Sequence, residues 1–264
     1  MTQSSERWSD LTARVSSGVA MVVIGGIGIY LGGWVFHILV AAVCGLMAWE
    51  LVGMLTPKRP GAKLQMGLLV AGATFAAVYL PIGFALPVLL APALVGFGLL
   101  EKHRTVFMCF TVLIVLAGFG LVQVRDDYGL GWLMWLVVVV VVTDVVGYFA
   151  GRAIGGPKFW PRVSPKKTWS GTVAGWIGAA LVGLLFSINT GVGLQLIGIS
   201  VALSMASQMG DMAESGMKRR LGVKDSSNLI PGHGGLLDRF DGMLGAAFFL
   251  LIIGQFLSIA PIAG

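Results

Sequence analysis

The chain alternates between long apolar runs and short polar segments. Five runs contain no Asp, Glu, Lys or Arg, and they cover residues 15–49, 64–100, 105–124, 171–210 and 242–264. A helix needs about 20 apolar residues to cross the hydrocarbon core of a bilayer. Each run is therefore long enough to predict at least one membrane-spanning helix.

Three of these runs are about twice the length that one crossing needs. The first, second and fourth runs each contain a natural break, which predicts a tight helical hairpin. The breaks are, in order, Gly32 with Gly33, Pro81, and Asn189 with Thr190 and Gly191. A further apolar run over residues 128–150, interrupted only by Asp144, adds one span. The pattern predicts an all-α, polytopic membrane protein with about nine transmembrane helices.

The basic residues predict an orientation for these helices. With nine spans, 17 of the 18 Lys and Arg residues fall on the side of the N-terminus, and only Arg125 falls on the other. Cytoplasmic loops carry an excess of Lys and Arg. The N-terminus and the two long polar loops, 151–172 and 210–241, are therefore predicted to be cytoplasmic. The 37 residues of 64–100 leave room for only short spans. Tilted or re-entrant helices are therefore an alternative for this run.

Composition agrees with a membrane protein and excludes an ordinary soluble domain. Of the 264 residues, 56% are hydrophobic and 11% are charged, whereas soluble domains are about 25% charged. The net charge of +6 follows mostly from the orientation of the loops, so nucleic acid is not expected as a partner.

The second long loop carries acidic residues that could serve chemistry. It contains five of the twelve acids, and these are Asp211, Glu214, Asp225, Asp238 and Asp241. Asp238 and Asp241 are three residues apart, which places them on one side of a helix. Clustered carboxylates repel one another unless a cation lies between them, and Mg²⁺ prefers such oxygen ligands. Simple pairing with Lys218, Arg219, Lys224 and Arg239 is the alternative that the spacing leaves open.

The same loop contains a glycine-rich segment, residues 231–235. Glycines allow backbone N–H groups to approach a phosphate closely, although they also form ordinary turns. His233 could bind a phosphate, act as an acid or base, or lie exposed in a turn.

Two further acids lie within apolar segments. Asp144 is a functional candidate because carboxylates inside membrane helices are costly; its alternative is an interfacial acid paired with Arg152 or a loop lysine. Glu50, near the cytoplasmic end of the second helix, is expected to snorkel to the interface or to pair with Lys58.

Together these residues resemble the signature of bacterial phosphatidate cytidylyltransferases, also called CDP-diacylglycerol synthases. The matching positions are Ser215 to Arg219, Lys224 with Asp225, Pro231 to Gly235, Asp238 with Arg239, and Asp241. Residues 144–152 and 164–171 resemble two further segments of the family. The first five spans match only as generic apolar helices, and Gly242 departs from the serine that the family commonly has there.

The resemblance implies a reaction in which CTP and phosphatidate give CDP-diacylglycerol and pyrophosphate. It implies Mg²⁺ held by Asp211 and Asp238 with Asp241 nearby, and a second, monovalent cation is left open. The catalytic residues it implies are Asp211, Lys218, Arg219, Lys224, Asp225, His233, Asp238, Arg239 and Asp241. The substrate-binding residues it implies are Asp144, Ser164, Lys167, Thr168, Gly232, Gly234 and Gly235.

This interpretation divides the chain into N-terminal transmembrane helices, residues 1–127, and a C-terminal catalytic membrane region, residues 128–264. It predicts a multi-pass protein of the bacterial inner membrane with its active site facing the cytoplasm. Another polytopic membrane phosphotransferase, such as a lipid kinase, is the alternative, and a transporter is less favoured because the polar residues crowd one membrane face. The sequence leaves the oligomeric state open, with a homodimer as one option.

Overall fold

The chain is helical over nearly all of its described length. A computed structural model describes the backbone of residues 2–255 and the side chains of residues 12–255 except Ile82. Within this part, nine α-helices are present: α1 Thr2–Leu31, α2 Gly33–Leu55, α3 Pro60–Tyr79, α4 Ile82–Leu99, α5 Arg104–Gln123, α6 Leu130–Ile154, α7 Trp169–Thr190, α8 Gln195–Leu221 and α9 Leu237–Gly254. A π-helical turn, Val124–Tyr128, extends α5. The end of the predicted ninth span, residues 256–264, lies outside the described residues.

Seven helices in the described part are long and apolar enough to cross a membrane: α1 from Thr12 onward, α2, α3, α5 with its π-helical turn, α6, α7 and α8. Helix α4 contributes a shorter apolar segment, Gly83–Leu99. Large aliphatic side chains such as Val22 and Leu185 lie exposed on helix surfaces, as expected where a helix faces lipid. The predicted all-α, polytopic membrane fold is confirmed.

The three predicted hairpin breaks coincide with the ends of helices. Gly32 separates α1 from α2, Pro81 is the N-cap of α4, and Gly191 is the C-cap of α7. Gly191 has a φ of 70° and its N–H donates to the carbonyl of Ser187, which is the left-handed C-cap that glycine favours. The residues predicted to break the three long runs therefore lie at the ends of helices.

A small β-hairpin in the first long loop was not predicted. Strand β1, Lys158–Trp160, pairs antiparallel with β2, Ser164–Thr168, and Lys158 lies opposite Thr168. The hairpin leads directly into α7, where the Thr168 hydroxyl accepts a hydrogen bond from Gly171 N–H at 3.3 Å and caps the helix. The hairpin thus fixes where Lys167 lies relative to the first turn of α7.

The chain divides into two compact units. The first unit contains residues 1–115 and 221–240, and the second contains residues 116–220 and 241–264. Residues 221–240 of the second long loop therefore belong with the N-terminal helices. These units describe packing, whereas the predicted division after residue 127 concerns function and stays a prediction.

In the first unit, α2 and α3 approach closely through glycines. A Cβ on Gly45 would lie 2.7 Å from the carbonyl oxygen of Gly67, so the two backbones nearly touch. Leu51 of α2 and Met66 of α3 are fully buried there. Close contact through small residues is a common way for membrane helices to pack.

In the second unit, glycines bring together the helices that carry the acidic residues. A Cβ on Gly147 of α6 would lie 3.0 Å from the carbonyl oxygen of Gly171 on α7. A Cβ on Gly210 of α8 would overlap the carbonyl oxygen of Asp241 on α9. Helices α6 and α8 are also joined by a hydrogen bond from the Thr143 hydroxyl to Ser204 Oγ at 2.9 Å. These contacts fix the positions of the residues that follow Gly210 and surround Asp241.

Candidate active site

Three predicted site residues lie close enough in the second unit for their charges to act on one another. They are Asp144 on α6, Asp211 on α8 and Asp241 on α9, and we call them the acidic cluster. The charges of Asp211 and Asp144 act on Asp241, and that of Asp211 acts on Asp144. Asp144 is exposed, whereas Asp211 and Asp241 are half-buried. Three helices that are distant in sequence therefore bring three carboxyl groups, and the charge that these groups carry, near one another.

Two lysines offset part of this charge. Lys167, next to the N-cap of α7, forms an ion pair with Asp211 Oδ2, and its charge also acts on Asp144. The Ser215 hydroxyl donates to Asp211 Oδ1 at 3.1 Å. The charge of Lys218 acts on Asp241, and Lys218 Nζ forms an ion pair with Glu214 Oε2 at 2.6 Å.

The pairing that the spacing left open is therefore partly present, with an expected lysine in the Glu214 pair and an unexpected one in the Asp211 pair. Asp211 pairs with a lysine of the first loop, and Lys218 pairs with Glu214 one helical turn away. Glu214 is 1% exposed as a side chain and Lys218 13%, so this pair is an interior feature of α8. The acidic cluster therefore combines three carboxyl groups with two lysines, one of which also pairs with Glu214.

The donor set of the acidic cluster suits Mg²⁺. Among the described side chains, no group of three or more His, Cys, Asp or Glu residues has the arrangement to hold a metal by itself. Mg²⁺ usually takes one or two protein carboxylates and completes its octahedron with water and substrate phosphates. Asp211 and Asp241 can supply carboxylates of this kind within one unit. The predicted metal set, which also includes Asp238, stays a prediction.

In the first unit, the loop of residues 222–236 contains a tight turn at residues 230–234. Gly232 and Gly234 have φ angles of 73° and 83°, a region that side-chain-bearing residues rarely adopt. Ile230 N–H donates to the Gly234 carbonyl at 2.8 Å. The Arg239 side chain stabilises the turn, since its Nε and Nη2 donate to the carbonyl oxygen of His233 at 2.9 and 2.7 Å.

Asp238 is bound into this loop by three donors. Its carboxylate accepts from Ser226 N–H at 2.9 Å, from the Ser226 hydroxyl at 3.0 Å and from Gly235 N–H at 2.8 Å. The N–H of Gly235, a residue predicted to approach a phosphate, is thus directed at a carboxylate of the protein itself. Asp238 lies in the first unit and Asp241 in the second, three residues further along α9.

His233 is held by the first helix. Its Nδ1 lies 2.8 Å from the hydroxyl oxygen of Ser17 on α1, which also lies 3.0 Å from the carbonyl oxygen of Pro231. His233 is half-buried and anchored through one ring nitrogen, which differs from the alternative of an exposed turn histidine. Its phosphate-binding and catalytic roles stay predictions.

The prediction for Glu50 was wrong. Glu50 is 1% exposed, and its carboxylate accepts hydrogen bonds from the loop of residues 222–236 and the start of α9. It neither snorkels to the interface nor pairs with Lys58. The donors are the hydroxyls of Ser226 and Ser227 and the N–H groups of Leu236 and Leu237, at 3.2, 2.6, 2.9 and 2.8 Å. The only sequence signal was a lone acid near the end of an apolar helix, and nothing local indicated its partners.

The remaining predicted residues are distributed over the two long loops. Ser164 begins β2, and Thr168 uses its hydroxyl to cap α7. Arg219, Lys224 and Asp225 are exposed, so they are accessible to a charged ligand. Their substrate-binding and catalytic roles stay predictions.

Comparison with known proteins shows which family the chain resembles. The model of the cytidylyltransferase family matches residues 12–257. A phosphatidate cytidylyltransferase of Brucella abortus is 44% identical over 137 residues, which are 51% of this chain and 51% of the relative. Proteins of the same name match from Staphylococcus saprophyticus, at 40% identity over 57% of this chain and 61% of the relative, and from Bacillus subtilis, at 40% over 48% and 49%. The chain thus matches about half the length of the first of these relatives.

Proposed function

Since the chain belongs to the cytidylyltransferase family, we propose that it transfers the cytidylyl group of CTP to phosphatidate, giving CDP-diacylglycerol and pyrophosphate. The observation that carries the proposal is the acidic cluster with Lys167 and Lys218, built on the helices of a multi-pass membrane protein. Such a site can meet a charged nucleotide and a lipid phosphate at once. The names of the bacterial relatives support the same substrates.

The reaction needs positioning and charge neutralisation more than proton transfer. An oxygen of the phosphatidate phosphate attacks the α-phosphorus of CTP, the bond to the β-phosphate oxygen breaks, and pyrophosphate leaves with that electron pair. The attacking oxygen is already ionised near neutral pH, so no general base is required. Bringing two polyanions together is the main barrier, and fixed positive charges lower it.

The basic residues of the site are suited to this task. Lys167 is half-buried and paired with Asp211, so it can exchange that carboxylate for a phosphate oxygen when substrate binds. Arg219 and Lys224 are exposed and would neutralise the outer phosphates. Arg239 holds the His233 carbonyl and would act mainly by keeping the loop in place.

We assign Mg²⁺ to the carboxylates of Asp211 and Asp241, with Asp238 included on the basis of the family resemblance. The ion would supply positive charge to the phosphates of CTP. Mg²⁺ removal by a chelator should therefore stop turnover and leave the helical fold intact.

The proposed location is the cytoplasmic face of the bacterial inner membrane, since CTP is confined to the cytoplasm. It follows that residue 228 in the second loop and residue 189 at the end of α7 lie on opposite sides of the membrane.

The two sides can be distinguished by labelling, since both Asn228 and Asn189 are exposed. In a chain carrying Cys44→Ala and Cys109→Ala, a membrane-impermeant maleimide should label the Asn189→Cys variant in spheroplasts. It should label the Asn228→Cys variant only after permeabilisation, and labelling of that variant in intact spheroplasts would contradict the orientation.

The direct test of the proposed function is product formation. Purified protein in detergent or in vesicles that contain phosphatidate is expected to convert CTP and Mg²⁺ into a cytidine-containing lipid, identified by mass spectrometry. Diacylglycerol in place of phosphatidate should give no such product because it lacks the attacking phosphate. Absence of the lipid product, with a relative named above active in the same preparation, would rule the proposal out.

A further inference from the structure

We propose that Glu50 is a positioning residue for the reaction. Its carboxylate fixes the loop of residues 222–236 and the start of α9, and through them the side chain of Asp238. The link to catalysis rests on the proposed function, whereas the effect on the loop does not.

The geometry around Glu50 is that of an anion site filled by the protein itself. Oε1 accepts from the Ser227 hydroxyl at 2.6 Å and from Leu236 N–H at 2.9 Å. Oε2 accepts from Leu237 N–H at 2.8 Å and from the Ser226 hydroxyl at 3.2 Å. Leu237 is the first residue of α9, so the carboxylate also lies at the positive end of that helix.

Burial gives these hydrogen bonds their importance. Glu50 is 1% exposed, and an ionised carboxylate removed from water is stable only when its oxygens are satisfied. Three donors serve Glu50 alone and a fourth, the Ser226 hydroxyl, is shared with Asp238. All four come from the loop or the start of α9. The Glu50 side chain therefore joins α2 to the loop and to the start of α9 at once.

The connection from Glu50 to Asp238 runs through Ser226 and Gly235. The Ser226 hydroxyl lies 3.2 Å from Glu50 Oε2 and 3.0 Å from Asp238 Oδ2, and its one proton can serve only one carboxylate at a time. A Cβ on Gly235 would overlap the Ser226 hydroxyl and press against the Glu50 carboxylate. Glycine at this position is thus explained by the close packing of the Ser226 hydroxyl and the Glu50 carboxylate against the turn.

The Glu50→Gln variant tests the proposal because it preserves size and changes the pattern of donors. A glutamine amide offers one oxygen acceptor, and its NH₂ group would face two of the four donors. We expect kcat to fall about 10- to 100-fold, and the Mg²⁺ concentration needed for half-maximal rate to rise. The matched control is Glu101→Gln, since Glu101 is an exposed glutamate of the same unit, paired with Arg59, and it should behave as wild type.

Hydrogen exchange supplies a readout that does not depend on activity. The N–H groups of Gly235, Leu236 and Leu237 donate to Asp238 or Glu50, so a peptide covering residues 226–240 should be protected in wild type. In Glu50→Gln this peptide should exchange at least about 10-fold faster, while peptides from α6 should not change. Ser227→Ala, which removes one of the four donors, should show the same change to a smaller degree and serves if Glu50→Gln does not fold.

The outcomes separate the possible roles. Faster exchange at residues 226–240 together with a lower kcat supports the proposal, and faster exchange with unchanged kcat and Mg²⁺ dependence overturns it in favour of a purely structural role. Unchanged exchange overturns it outright. If wild type makes no lipid product, the proposed function fails, but the exchange result still shows whether Glu50 fixes the loop.

Discussion

Asp211→Asn is expected to lower turnover about 100- to 1,000-fold while leaving the protein folded and inserted. The substitution keeps the size of the side chain and removes its charge. The charge of Asp211 acts on both Asp144 and Asp241, and its carboxylate forms an ion pair with Lys167. The variant should therefore lose both a proposed Mg²⁺ ligand and the partner that orients Lys167.

The measurement is the initial rate of lipid product formation over a range of Mg²⁺ concentrations. A weakened metal site should be partly restored by high Mg²⁺, whereas a simple loss of Lys167 orientation should not. The control is Asp127→Asn, since Asp127 is an exposed acid of the same unit at the end predicted to face away from the cytoplasm. Wild-type turnover in Asp211→Asn would remove Asp211 from the proposed metal site.

Asp238→Asn is expected to abolish measurable turnover without loss of membrane insertion. Two effects combine here: the proposed site loses a negative charge, and the loop loses an acceptor. The carboxylate accepts from Ser226 N–H, the Ser226 hydroxyl and Gly235 N–H, and an amide nitrogen cannot replace an oxygen in that role. Because hydrogen bonds to a charged acceptor each contribute about 1.5–3 kcal/mol, the turn at Gly234 and Gly235 should loosen.

A comparison with Ser226→Ala separates the two effects. That variant removes the shared hydroxyl but keeps both carboxylates and both N–H donors, so it should retain more activity than Asp238→Asn. Rates and thermal unfolding midpoints measured together would show whether activity falls more than stability does. Full activity of Asp238→Asn would exclude the residue as a ligand.

The membrane fold was predictable because lipid imposes simple rules on the sequence. Residues 15–49 form two helices instead of one since Gly32 interrupts them, and Pro81 and Gly191 act in the same way at the other two hairpins. The β-hairpin of residues 158–168 was not predictable in this way. Its strands have three and five residues, too few for a periodic pattern to stand out from a polar loop.

The candidate site was predictable only where residues lie near one another in sequence. Asp238, Arg239 and the glycines of residues 231–235 were identified as a group, and the structure shows them joined by hydrogen bonds. Glu50 was missed because Ser226 and Leu237 lie 176 and 187 residues further along the chain. A contact of that separation leaves no local pattern, and only the packing of α2 against the loop reveals it.

Transfer of the α-phosphorus is the central claim, and the position of a radioactive label in CTP tests it most directly. Purified protein is incubated with phosphatidate, Mg²⁺ and CTP labelled either at the α-phosphorus or at the γ-phosphorus, and the lipid is extracted. Cytidylyl transfer predicts that the α-label enters the lipid while the γ-label leaves as pyrophosphate. A lipid that carries the γ-label would show phosphoryl transfer by a kinase, and a lipid with neither label would contradict the proposed reaction altogether.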